Sequence, residues 1–155
     1  MVTVTRSSLA LNFGWHIKSL IETNVVNPNT SRLGYDWVYK NVPMKEVKDS
    51  ELPYVIIDTD VEHNPVNIDR TKKKIGITVR IEVWSKKIEH KSKIVDSIVN
   101  GVFWNQSLVD ADGKTLRSNH ISIDHIRQDT IDQYHEHPTV DYVDVITVNC
   151  TFSNS

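Results

Sequence analysis

The segment from Ile75 to Phe103, IGITVRIEVWSKKIEHKSKIVDSIVNGVF, changes from a strand period to a helix period with almost no loop between them. Aliphatic residues occupy every second position of its first part: Ile75, Ile77, Val79, Ile81 and Val83. The residues between them share the other face: Gly76, Thr78, Arg80, Glu82 and Trp84. One apolar and one polar face predict an antiparallel or mixed sheet that is covered by helices on one side.

The second part of this segment predicts a helix from Lys86 to about Phe103, with Ser85 as its N-cap. Its apolar stripe comprises Ile88, Ile94, Val95, Ile98, Val99, Val102 and Phe103. Many of these residues are β-branched and favour helix weakly. We therefore expect the helix to depend on packing against the sheet.

Another amphipathic helix is predicted from Ser8 to Asn24. Its apolar face carries Leu9, Phe13, Ile17, Leu20 and Ile21, and its polar face carries Asn12, His16, Ser19 and Thr23. Leu11 and Trp15 form an i,i+4 pair off the main stripe. Either a loop covers this pair as a second core contact, or the pair forms a surface that a partner subunit covers.

The remaining segments predict strands and turns. The island YDWVYK predicts a short edge strand, PYVIIDTDVE a strand, HNPVNIDRTKKK a long turn, and HISIDHI and TVDYVDVITVNCTF two further strands. DADGKT predicts a tight turn in a small hairpin between Leu108-Val109 and Leu116. The fold class is thus α+β, in the order α-β-β-β-α-β-β: a mixed, mainly antiparallel sheet with two principal helices packed on one face.

Composition favours one ordinary globular domain spanning residues 1–155. A net charge of -2 argues against a general polyanion binder. The single cysteine, Cys150, excludes an intrachain disulfide and is expected to be a buried thiol. No signal-peptide pattern or membrane-length apolar stretch is present, so we expect synthesis in the cytoplasm and no membrane contact.

Acidic residues on one strand raise the question of metal-dependent chemistry. Asp58, Asp60 and Glu62 alternate and would share a face. A nuclease of the restriction-endonuclease type would also need Glu-x-Lys on the next strand, where this chain has Glu82-Val83-Trp84. DADGKT differs from a calcium loop, because Gly113 comes too early and Ile121 stands at position twelve.

Histidines offer the other candidate metal ligands. His135 and His137 lie on one side of an extended segment, with His120 and His125 nearby in sequence. A transition-metal site needs three or four ligands, and spacing supplies no further partner. The sequence therefore predicts no catalytic residue, no metal site and no cofactor.

One dense basic cluster, RTKKK, contains Arg70, Lys72, Lys73 and Lys74. Such a cluster is usually a solvated loop tip. The alternative is a contact with an acidic partner surface or with DNA phosphates that pass close by.

The whole order of elements, from about Leu9 to Phe152, resembles the tail terminator or tail-completion proteins of tailed bacteriophages. The resemblance rests on the leading amphipathic helix, the three-strand run that ends in KKIGITVRIEVWS, the helix KKIEHKSKIVDSIVNGVF that follows at once, and the closing pair of strands. HEHP and the aromatic island at Tyr35 to Tyr39 are not part of that pattern.

This resemblance implies a structural, non-enzymatic virion protein at the head-proximal end of the tail. Such proteins form a ring, usually a hexamer, that ends polymerisation of the tail tube and docks with the head connector, and DNA passes through the opening without specific binding. Subunits of a ring meet through two different patches. Leu11 with Trp15 is one candidate patch, the sheet face with Arg80, Glu82 and Trp84 is another, and the basic cluster would dock on the tube or neck. Another neck component, either an adaptor or a stopper, and a small metal-dependent enzyme or ligand-binding domain remain alternatives.

Overall fold

Strand β4, Lys72–Ser85, lies in the middle of the sheet and is paired along both edges. The computed structural model describes Val4 and residues 9–30, 36–41, 51–61, 66–69, 72–104, 108–131 and 140–154. β4 is antiparallel to β2, Tyr54–Val61, and to β6, Tyr142–Asn154. On one face of β4 the aliphatic side chains from Ile77 to Val83 are buried. The predicted alternation is confirmed.

The sheet has the strand order β1-β2-β4-β6-β5, with β1 at Val38–Lys40 and β5 at Ile121–Ile131. β1 is parallel to β2, and the other pairings are antiparallel. Helix α1, Leu9–Asn24, precedes the sheet, and helix α2, Ile88–Asp96, follows β4. The predicted α+β class, the mixed and mainly antiparallel sheet and the order of elements are confirmed.

A further short strand, β3 at Val66–Asp69, pairs with the beginning of β4. The sequence predicted a long turn here, and for the described residues that prediction is wrong. Val66 lies opposite Lys74, and Lys74 also lies opposite Ser153 of β6. The backbone of this polar stretch therefore has strand partners on both sides, which side-chain polarity does not reveal.

Helix α1 buries the predicted apolar face against the sheet. Phe13, Ile17 and Ile21 are fully buried in the core beside Val55 and Ile57 of β2. The prediction that His16 faces solvent is wrong, since its side chain is completely buried. None of the helices in the described residues is long and apolar enough to cross a membrane.

Helix α2 starts two residues later than predicted and continues as a π-helical segment, Ser97–Phe103. Ser85 is not the N-cap, because Lys87 is the last residue before the helix. The Ser85 hydroxyl instead accepts the N–H of Lys87 and donates to its C=O in a local turn. The predicted stripe from Ile94 to Phe103 packs into the core, whereas Ile88 is about half exposed. Ile88 is the first residue of the helix, and it is not among the buried residues of α2, which are Lys91, Ile94 and Val95.

A tight turn forms at the predicted DADGKT sequence. The Asp110 carboxylate accepts the N–H groups of Asp112 and Lys114, and Gly113 has a φ of 78°. A short 3₁₀ segment, Arg117–Asn119, follows before β5. The predicted turn is confirmed, but the predicted hairpin is wrong, because residues 108–116 contain no strand. The expected buried thiol is also confirmed, and burial together with the Asp124 carboxylate raises the pKa of Cys150 to about 12.

A second apolar cluster covers one end of the other sheet face. It contains Leu52, Tyr54, Ile56, Trp84, Val140, Val143 and Val145. In the strand ladder Trp84 lies between Tyr54 and Val143, so this row of the face is apolar across three strands. The expectation that Trp84 is an exposed interface residue is therefore wrong, because its side chain is completely buried.

The burial of Trp84 predicts a large loss of stability when its indole is removed. Trp84→Ala should lower the free energy of unfolding by about 3–5 kcal/mol, since the ring leaves a cavity in a packed cluster. The matched control is Trp104→Ala, whose side chain is 59% exposed and should cost less than about 0.5 kcal/mol. Urea denaturation followed by far-UV circular dichroism measures both losses. Equal and small losses would contradict the core position of Trp84.

Candidate subunit interface

The outer side of α1 carries exposed apolar side chains. Leu11 is 54% exposed and Trp15 is 44% exposed. At 100° per residue both point away from the stripe that packs on the sheet. The structure thus leaves this predicted pair on the surface and does not bury it as a second core contact.

Two lysines surround the Trp15 indole. The Nζ atoms of Lys18 and Lys40 lie 5.7 Å and 5.1 Å from the ring centroid, within cation–π range. Lys18 also pairs with Glu22 on the next turn of α1. Lys40 reaches the ring from β1 across Gly14, where a Cβ atom would lie only 2.9 Å from its Cε. We call Leu11, Trp15, Lys18, Glu22 and Lys40 the Trp15 ridge.

The sheet face opposite the helices is polar beyond the Trp84 cluster. One row of the ladder runs Asp58, Arg80, Thr147 and Arg127 across four strands, and the next carries Asp60, Thr78, Asn149 and His125. Arg80 bonds Glu82 at 3.4 Å, and Thr78 donates to Asn149 at 3.2 Å. Arg80 and Glu82 therefore lie on the open face as predicted.

A cleft of about 230 Å³ opens on this face. Its walls are formed by Asn41, Ile56, Asp58, Arg80 and Glu82, and we call it the open-face cleft. The Arg80 side chain is 53% exposed, while that of Glu82 is only 14% exposed. Asp58 is exposed and has no ion-pair partner within the described residues. The cleft thus combines two carboxylates with one guanidinium group.

Three lysines of the basic cluster lie in a strand and not at the tip of a loop. Lys72, Lys73 and Lys74 have strand backbone at the beginning of β4, and Arg70 lies outside the described residues. The loop prediction is therefore wrong for these three lysines. Ladder bonding to β3 and β6 holds their backbone in place.

The candidate metal ligands are only partly described. Asp58 and Asp60 are exposed on the open face, while Glu62, His135 and His137 lie outside the described residues. His120 and His125 are exposed. Within the described ranges, no three His, Cys, Asp or Glu side chains come together as a possible metal site.

Two buried polar pairs were missed by the sequence analysis. The Nδ1 atom of His16 lies 2.8 Å from Oδ2 of Asp110, and both side chains are fully buried. The Nζ atom of Lys91 lies 3.1 Å from Oδ1 of Asp144, and Gln128 donates to the other carboxylate oxygen. Lys91 lies within the apolar stripe of α2, and Asp144 lies on the face of β6 that points into the core. The signal available in the sequence was therefore a charged residue at each of two core positions.

Segment 109–111 explains the burial of His16. Asn24 donates to the C=O of Val109, and Ala111 donates its N–H to the Ser19 hydroxyl. These bonds hold the segment along the flank of α1 that carries His16. The loop therefore turns a predicted solvent-facing flank into a packed contact.

Burial decides the protonation state of this pair. Desolvation lowers the pKa of His16 below 6.5 despite the opposing effect of the Asp110 carboxylate. Burial alone would raise the pKa of Asp110, but bonds from the Lys114 N–H, from His16 and from the Asp112 N–H together lower it. A neutral imidazole that donates its Nδ1–H to an ionised carboxylate fits both directions.

No protein-family model matches the chain, and no curated protein matches it.

The depressed pKa of His16 predicts a loss of stability at mildly acidic pH. In the unfolded chain His16 binds a proton near pH 6.5, whereas the folded chain resists it, so the free energy of unfolding should fall as the pH drops below about 6.5. His16→Asn keeps an N–H donor for Asp110 without titrating, and it should flatten this part of the profile. Thermal melts between pH 8 and 5 measure the effect.

The control for this profile is His120→Asn, since His120 is exposed and its φ of 63° suits asparagine. It should leave the pH profile of the wild type unchanged. A profile that His16→Asn does not alter would contradict a buried neutral imidazole.

Proposed function

We propose that this chain is a ring-forming structural protein of a phage tail, of the tail-terminator type. It would cap the tail tube, end its polymerisation and offer a docking surface to the head or neck connector. DNA would pass through the opening without specific binding, which suits a net charge of -2. The proposal is supported by the order of elements and the hydrophobic pattern that resemble this family, and by the α+β fold.

The ring is supported by a pair of unlike surfaces on opposite faces of the sheet, both at its β1 edge, where Lys40 of the ridge precedes Asn41 of the cleft. The Trp15 ridge lies on the outside of the helix layer, and the open-face cleft lies on the other face of the sheet. A closed ring uses heterologous contacts, in which one patch meets a different patch on the next subunit. Tryptophan is enriched among the residues that contribute most of the binding energy of protein interfaces.

The first test is the assembly state of the purified chain over a concentration series. Native mass should show a species of six 17.8 kDa subunits, and negative-stain images of the same samples should show closed rings. A chain that stays monomeric up to its solubility limit would contradict the ring. A thermal shift with Mn²⁺ or Zn²⁺ that is lost in Asp60→Ala would favour a metal-dependent protein instead.

Truncation of the anchor should weaken assembly. Trp15→Ala should raise the midpoint concentration of ring formation by about tenfold or more, because a buried interface tryptophan contributes about 2 kcal/mol or more. Trp104→Ala removes another exposed indole, one that is not part of the ridge, and should leave the midpoint unchanged. Equal effects of the two variants would show that the Trp15 ridge is not part of the interface.

A further inference from the structure

The Trp15 ridge carries an unsatisfied positive charge. Lys18 is already paired with Glu22, whereas Lys40 has no carboxylate partner within the described part of the chain. Lys40 is held over the Trp15 ring at 5.1 Å, and its stem passes Gly14. The ridge therefore presents an apolar surface, formed by Leu11 and Trp15, beside one fixed cation.

The open-face cleft carries the opposite charge. Arg80 is already paired with Glu82, whereas the exposed carboxylate of Asp58 has no ion-pair partner in the described residues. Ile56, which is only 2% exposed, lines the cleft next to Asp58. The cleft thus offers an exposed carboxylate without an ion-pair partner, and the ridge offers an ammonium group without one, within the described residues.

We infer that the Trp15 ridge of one subunit docks into the open-face cleft of a second copy, with Lys40 facing Asp58 of that copy. The inference rests on the proposed ring and names its contact. Unpaired charges of opposite sign select this orientation, and Leu11 and Trp15 supply the apolar area that is removed from water. The ridge and the cleft lie on opposite faces of the sheet at its β1 edge, so they are different patches, and each subunit uses each of them once. That arrangement is heterologous and can close into a ring.

Charge reversal tests the contact in the full chain. Lys40→Glu and Asp58→Lys each place like charges face to face, so each should raise the midpoint concentration of ring formation by at least about tenfold. The double variant Lys40→Glu/Asp58→Lys restores opposite charges at every contact and should return to within about threefold of wild type. Far-UV circular dichroism and thermal melts verify that each variant is folded.

Matched controls are Lys93→Glu and Asp96→Lys, which reverse exposed charges on α2. Both should assemble as the wild type does. If wild-type rings form but the single reversals have no effect, or if the double variant does not recover, the inference fails and the proposed ring stands. If wild-type rings do not form, the proposed function fails as well.

Cysteine cross-linking gives a second, independent readout. Lys40→Cys and Asp58→Cys variants are mixed and oxidised, and a covalent dimer should appear in the mixture but not in either variant alone. The native Cys150 is buried with a pKa raised to about 12, so it should not react. Dimers in the single-variant samples, or none in the mixture, would overturn the pairing of ridge and cleft.

Discussion

The alternation of side chains on β4 is the constraint on which the other elements depend. With both edges paired, β4 assigns one face of the sheet to the helices and leaves the other face to a smaller cluster and to solvent. A shift of one residue in its register would exchange the two faces. α1 and α2 then share a single apolar layer, and the polar half of the opposite face remains available for contacts.

Two buried polar pairs fix the position of the helices on that layer. His16 binds Asp110 and ties α1 to the turn, while Lys91 binds Asp144 and ties α2 to β6. Sliding either helix along the sheet would leave a buried charge without its partner, at a cost of several kcal/mol. Apolar packing alone tolerates such sliding much better, so these pairs select one arrangement among several that would bury similar areas.

The parts of the fold that the sequence predicted are those with a local and repeated signal. β4, the core face of α1 and most of the α2 stripe follow from spacing alone, because burial repeats every two or every 3.6 residues. Trp84 was misplaced because Tyr54 and Val143, its neighbours in the ladder, come from distant parts of the chain. β3 was missed for a related reason: its partners are backbone groups of polar residues.

In the candidate interface, too, local patterns were readable from the sequence and contacts between distant residues were not. Leu11 and Trp15 depart from the helical period, but the sequence left open whether they form a second core contact or a surface. The face of Arg80 and Glu82 followed from the alternation of side chains on β4. Residue spacing alone could not assign Lys40 to the ridge or Asp58 to the cleft. Lys40 reaches Trp15 across Gly14, and the cleft at Asp58 is formed by β2, β4 and the residue that follows β1, which are far apart in the sequence.

The long ladder between β4 and β6 also has a mechanical consequence. All 13 residues of β6 lie opposite β4, and β2 and β5 extend the sheet on either side. A force along the strands would load these backbone bonds in shear, so that many must break together, whereas a force across them would open the bonds one after another. The chain is therefore stiff along one axis and weaker across it, and an external load would be carried best when it runs parallel to β4.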